Sequence, residues 1–131
     1  MHRVVITGIG WVTPMGHDIE SVWRRLLNGE SGIDYTTLFD ASTFPTTFSA
    51  EVKNYRLEDH IADASRHATA GRNSAFALGA CAQAWKDAGL DGAKVDLDGV
   101  RIYLGSGEGS LDFEAYTRAA LGAWQEGEGS I

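Results

Sequence analysis

The run Val4-Val5-Ile6-Thr7-Gly8-Ile9-Gly10-Trp11-Val12-Thr13-Pro14-Met15-Gly16 constrains this chain more than any other. Val4, Val5 and Ile6 do not alternate with polar residues, so the predicted strand is covered on both faces, as in a parallel sheet under helices. Gly8, Gly10, Pro14 and Gly16 then end it near Thr7, since Pro14 cannot continue a ladder and the glycines favour a tight turn. A helix follows at once: Ile19, Val22, Trp23, Leu26 and Leu27 recur at helical spacing, with Asp18 as N-cap and Gly29 as stop. Buried strand, glycine turn and covering helix make an α/β opening.

The turn is not a dinucleotide fingerprint. Thr13 stands where the third glycine of G-x-G-x-x-G belongs, and Pro14 removes a backbone N–H that a phosphate would need. Further on, residues 30–50 read as an irregular excursion, with a short strand near Phe48 to Lys53. A short helix is predicted from Arg56 to Ala64. A long one runs from Ser65 to Ala88, with Ala75, Leu78, Ala82 and Trp85 on one face and small residues throughout. Gly89 ends it. Val100-Arg101-Ile102-Tyr103-Leu104 is a second strand, and an amphipathic helix follows from Leu111 to Gln125 through Leu111, Ala115, Ala119, Leu121 and Trp124.

Several motifs, in order, resemble one family. Gly8 to Gly16 is similar to the N-terminal signature of the β-ketoacyl-acyl-carrier-protein synthases, condensing enzymes of the thiolase fold. Trp23 with Leu26-Leu27-Asn28-Gly29-Glu30-Ser31-Gly32-Ile33 resembles its next segment. Phe39-Asp40-Ala41-Ser42-Thr43-Phe44-Pro45 with Glu51-Val52, then Asp87-Ala88-Gly89-Leu90, and finally Gly105-Ser106-Gly107-Glu108-Gly109 continue the match. The resemblance implies that residues 1–131 are the N-terminal portion of a synthase domain, an α/β chain with a layered α/β/α thiolase-like fold whose sheet is incomplete here. Two longer strands and one short one against four helices point the same way, because parallel sheets usually have about four to six strands. Alone, such a chain is expected to be marginally stable and to associate.

The family's chemistry uses a nucleophilic cysteine and two histidines; the resemblance puts all three beyond Ile131, so no residue of this chain is expected to be catalytic. Cys81 precedes the Gly105 turn and sits in mid-helix among alanines, away from any helix end that would activate a thiolate, so it reads as a buried apolar side chain. Ser106 lacks the G-x-S-x-G setting, since residue 104 is Leu, and no histidine follows His67 to complete a hydrolase order. The histidines His2, His17, His60 and His67 form no zinc spacing, and Asp59, His60 and Asp63 read as a solvated face. No P-loop occurs, and neither metal nor cofactor is implied.

Two departures stand out. The family's Met-Asp-Arg reads Ala70-Gly71-Arg72 here, and Glu108 occupies a position that is usually apolar and lies at the acyl pocket. Glu108 is therefore the candidate substrate-pocket residue. The implied partners are acyl carrier protein, bearing phosphopantetheine-linked acyl and malonyl groups, and a second copy in a homodimer. The net charge of −7 disfavours nucleic acid and anionic membranes. It does not attract an acidic carrier either, which leaves Arg24, Arg25, Arg66 and Arg72 as the basic candidates, otherwise solvated. No apolar run reaches the roughly eighteen residues of a membrane span, and the single cysteine fits a reducing cytoplasm.

Overall fold

A computed structural model describes residues 3–107 and 113–123. Helix α1 spans Ile19–Leu27. Strands β1 (Asp34–Tyr35) and β2 (Phe48–Ser49) pair antiparallel, with Asp34 opposite Ser49 and Tyr35 opposite Phe48. Two 3-10 turns, Leu57–Asp59 and Ala64–His67, lead to helix α2, Arg72–Asp87; a third turn, Leu97–Gly99, precedes helix α3, Phe113–Ala123.

Local chemistry accounts for these boundaries. Asp18 accepts from the backbone N–H of Ser21 at 2.8 Å, which satisfies one of the donors that a helix start leaves free. Gly29 (φ +69°) and Gly89 (φ +68°) end α1 and α2 in the left-handed region that favours glycine. Around them Glu30 N–H reaches the Arg25 carbonyl and Leu90 N–H the Trp85 carbonyl. The predicted long helix begins only at Arg72, because residues 64–67 wind as 3-10 and the intervening chain turns. The predicted helix from Arg56 to Ala64 is likewise reduced to the 3-10 turns.

The few buried side chains among the described residues are Val22, Ala41, Leu57, Ala64 and Glu51, while the closest backbone approach is the crossing of the glycine run over α2. A Cβ on Gly8 would strike the Ala84 carbonyl oxygen and sit 2.6 Å from the Ala88 nitrogen; one on Gly10 would strike the Ala80 carbonyl oxygen and sit 2.7 Å from the Ala84 nitrogen. Ala80, Ala84 and Ala88 follow at four-residue steps, so they form one stripe of small side chains on which the loop lies. Two α2 side chains fasten it. Asp87 Oδ2 accepts from Ile9 N–H at 2.9 Å, and Gln83 Nε2 donates to the carbonyls of His17 (2.8 Å) and Trp11 (3.2 Å).

The predicted parallel strands are a different matter. Residues 4–7 and 100–104 carry no ladder among the described residues, whose sheet is the two-stranded β1–β2 pair. Val4 is 95% exposed and Tyr103 94% exposed. With no neighbouring strand there to take up their N–H and C=O groups, apolar sequence alone does not make a sheet. The α1 stripe is also largely bare: Val22 is 2% exposed, while Trp23, Leu26 and Leu27 face outward.

Candidate functional site

The candidate substrate-pocket residue, Glu108, lies outside the described residues. The turn that leads to it is described. Leu104, Gly105, Ser106 and Gly107 face the first turns of α2 across a cleft of about 630 Å³, whose other wall is Gly71, Arg72, Asn73, Ser74, Phe76 and Ala77. Among the described residues nothing lies within 4 Å of a Cβ placed on Gly105 or Gly107, so this turn is open rather than clamped.

Arg72, the residue that keeps the family's pattern before α2, has a structural duty. Its Nη2 donates to the Val52 carbonyl at 2.8 Å, and its guanidinium stands 5.5 Å above the Phe76 ring, a cation–π contact. It joins the start of α2 to residues 51–55 and borders a second cleft of about 550 Å³, walled by Thr37, Leu38, Val52–Glu58, Ala64 and His67 among others. The other basic candidates are engaged too. Arg24 pairs with Glu20 at 3.1 Å, Arg25 with Glu30 at 2.6 Å and Arg66 with Asp63 at 3.3 Å, while Arg25 Nη1 also donates to the Met15 carbonyl.

Two groups near this cleft have roles that sequence reasoning did not assign. Glu51 is 7% exposed and has no basic partner among the described residues. Its carboxylate accepts from Thr37 N–H (2.9 and 3.1 Å), Thr37 Oγ1 (2.7 Å) and Leu38 N–H (3.1 Å). The Thr37 hydroxyl, opposed by burial and assisted by the two backbone donors, holds its pKa down at about 2. Glu51 therefore straps the loop after β1 to the loop after β2; its signal in the sequence was the Glu51-Val52 pair of the family pattern. The second group is Tyr55, whose Oη donates to the Ala75 carbonyl at 2.8 Å and would collide with any Cβ at Gly79. Burial raises its pKa, with Glu58 adding to the effect.

Two expectations need correction. Cys81 is exposed rather than buried, because no element among the described residues covers its face of α2. His60 is not on a solvated face: its ring stacks on Tyr55 at 5.1 Å and 15°. Asp59 and Asp63 are exposed as expected, and each lies beside an arginine. No cluster of three or more metal-ligating side chains occurs among the described residues, and no helix there is long and apolar enough to cross a membrane.

Comparison with known proteins places this arrangement. The 3-oxoacyl-[acyl-carrier-protein] synthase 2 of Staphylococcus aureus (strain COL) is 36% identical over 110 residues, which covers 84% of this chain and 26% of that protein. Its namesake from Coxiella burnetii (strain RSA 493 / Nine Mile phase I) is 38% identical over 109 residues, covering 83% and 26%. The chain thus spans about a quarter of the length of these curated relatives. A solved structure described as the ishigamide ketosynthase/chain length factor superposes with a TM-score of 0.55 at 28% identity, over 65% of this chain and 21% of that one. The sequence model of "Beta-ketoacyl synthase, N-terminal domain" matches residues 1–128, and the chain belongs to that family.

Proposed function

We propose that residues 1–131 are the N-terminal portion of a β-ketoacyl-acyl-carrier-protein synthase, acting in fatty-acid or polyketide synthesis. The observation that carries this reading is the family match over residues 1–128. The bare apolar segments 4–6 and 102–104 support the corollary that the α/β/α sheet is completed by strands from elsewhere in the protein.

In the proposed reaction a cysteine thiolate attacks the acyl thioester, forms an acyl-enzyme and releases the carrier's thiol. A malonyl thioester then loses carbon dioxide, and the resulting carbanion attacks the acyl carbon and expels the cysteine. That chemistry needs an activated thiolate, histidine donors and an oxyanion hole. Cys81 suits none of these roles: it sits on the exposed face of α2, well inside a helix that begins at Arg72. The nucleophile and the histidines are proposed to lie past Ile131. This segment supplies scaffold and pocket wall, in a cytoplasmic homodimer fed by acyl carrier protein.

The test uses the full-length protein. Acyl-enzyme formation and malonyl decarboxylation are both expected, with Cys81→Ser leaving them intact. A gene product without the cysteine and both histidines overturns the enzyme reading. It favours instead a catalytically silent homologue or truncated subunit acting as a non-enzymatic interaction piece. Glu108 is proposed to line the acyl pocket, a role supported by the cleft that Gly105–Gly107 form with α2. A buried carboxylate there disfavours long saturated chains, so Glu108→Ile is expected to shift selectivity toward them. An unchanged chain-length profile rejects that role.

A further inference from the structure

One cluster of titratable side chains, away from the Gly105 turn, is built rather than scattered. The Tyr55 ring lies between two histidines: His17 meets it edge-on at 5.2 Å and 83°, and His60 stacks on it at 5.1 Å and 15°. Phe76 of α2 closes a third side at 5.0 Å and 86°. Below, the Tyr55 hydroxyl is fixed to the Ala75 carbonyl and seated over Gly79. The three titratable rings come from two parts of the chain, His17 from one and Tyr55 and His60 from the other. His17 ends the glycine loop, where its own carbonyl accepts from Gln83, and His60 ends the first 3-10 turn, where its N–H reaches the Leu57 carbonyl at 3.0 Å.

We propose that the His17–Tyr55–His60 stack is a pH-sensitive fastener, in which the neutral His17 ring holds residues 52–60 against α2 and the glycine loop and protonation of His17 releases them. This holds whether or not the protein is a condensing enzyme. An imidazolium at His17 would be partly desolvated and would face a second imidazole across one aromatic ring. Burial, then His60, disfavours its proton; a hydrogen bond to the Lys53 backbone, Asp18 and Asp59 favour it, and the disfavouring groups prevail. On α2 the nearby charge is Arg72, over Phe76, another cation. Glu58 lies close enough to act on Tyr55. Because the folded pKa is lowered from 6.5, the unfolded chain binds more protons, so His17's contribution is intact above that value and is lost as pH falls through the folded one.

Residues 52–58 form one wall of the second cleft, so release would reshape that cleft. The experiment is amide hydrogen exchange of segment 55–61 in the full-length protein, corrected for intrinsic rates. Between about pH 7.5 and about pH 5.5, protection is expected to fall at least about twofold more in the wild type than in His17→Gln. Equal losses in the two proteins, or none in the wild type, overturn the proposal. Should His17→Gln fail to fold, histidine NMR on the wild type decides. The Tyr55 ring resonances are expected to move with the His17 titration, and a Tyr55 signal that ignores it overturns the proposal equally.

Discussion

Val4–Ile6 and Gly8–Gly10 are consecutive pieces of one short run, yet they meet opposite fates. The glycines lie so close to α2 that a single methyl on either would collide with its backbone, and Asp87 and Gln83 hold that loop by hydrogen bonds. The valines and isoleucine are the more apolar part and are left bare, with Val4 at 95% exposure. The difference is one of supply. The loop needs only α2, which the chain contains, and closeness comes from deleting side chains on both surfaces. The strand needs flanking strands to take its N–H and C=O groups, and among the described residues none does so.

The largest expected effect comes from closing the gap. In the full-length protein, Gly10→Val should cost about 3 kcal/mol or more in a denaturant melt, since backbone has to move to admit the side chain. In the isolated 131-residue chain Gly105→Ala, in open space there, should stay within about 0.5 kcal/mol. Equal costs would erase the contrast. Next, Gln83→Ala strips two carbonyls of their shared donor and should cost about 1–2 kcal/mol. Glu51 sharpens the comparison by pH. Its pKa is depressed from 4.5 to about 2, so its contribution is full above 4.5 and disappears as pH falls toward 2. The acid limb of stability should therefore shrink in Glu51→Gln, as followed by circular dichroism. The smallest effect belongs to the bare strand. Ile6→Ser in the isolated 131-residue chain should change stability by less than about 0.5 kcal/mol. The same change in the full-length protein should cost more, because there Ile6 is expected to be covered.

Features that depend on neighbours along the chain are legible in the sequence itself. The Asp18 cap and the Gly29 and Gly89 stops follow from side-chain chemistry within a few residues, and all are present. Features that depend on distant partners are not. The pattern that makes Val4–Ile6 and Val100–Leu104 strands assumes neighbours that are not among the described residues, and the covered mid-helix site expected for Cys81 assumes a layer over that face of α2. The bonds of Glu51 and Tyr55 escape notice for a related reason. Their partners, Thr37 and Ala75, lie 14 and 20 residues away, and no local periodicity encodes such a bond. At the candidate pocket, the glycine turn is readable as a motif, whereas its cleft with α2 requires the fold.

The crossing also sets a timetable for synthesis. Ile9 and Asp87 are separated by 78 residues, so at about 5–20 residues per second a ribosome needs roughly 4–16 s to supply the second after the first. The β1–β2 pair can close well before then, since Asp34 and Ser49 are much nearer each other along the chain. Val4–Ile6 meanwhile waits as an apolar segment with nothing to fold against. Small side chains at Ala80, Ala84 and Ala88 make the eventual docking close, but they cannot make it early.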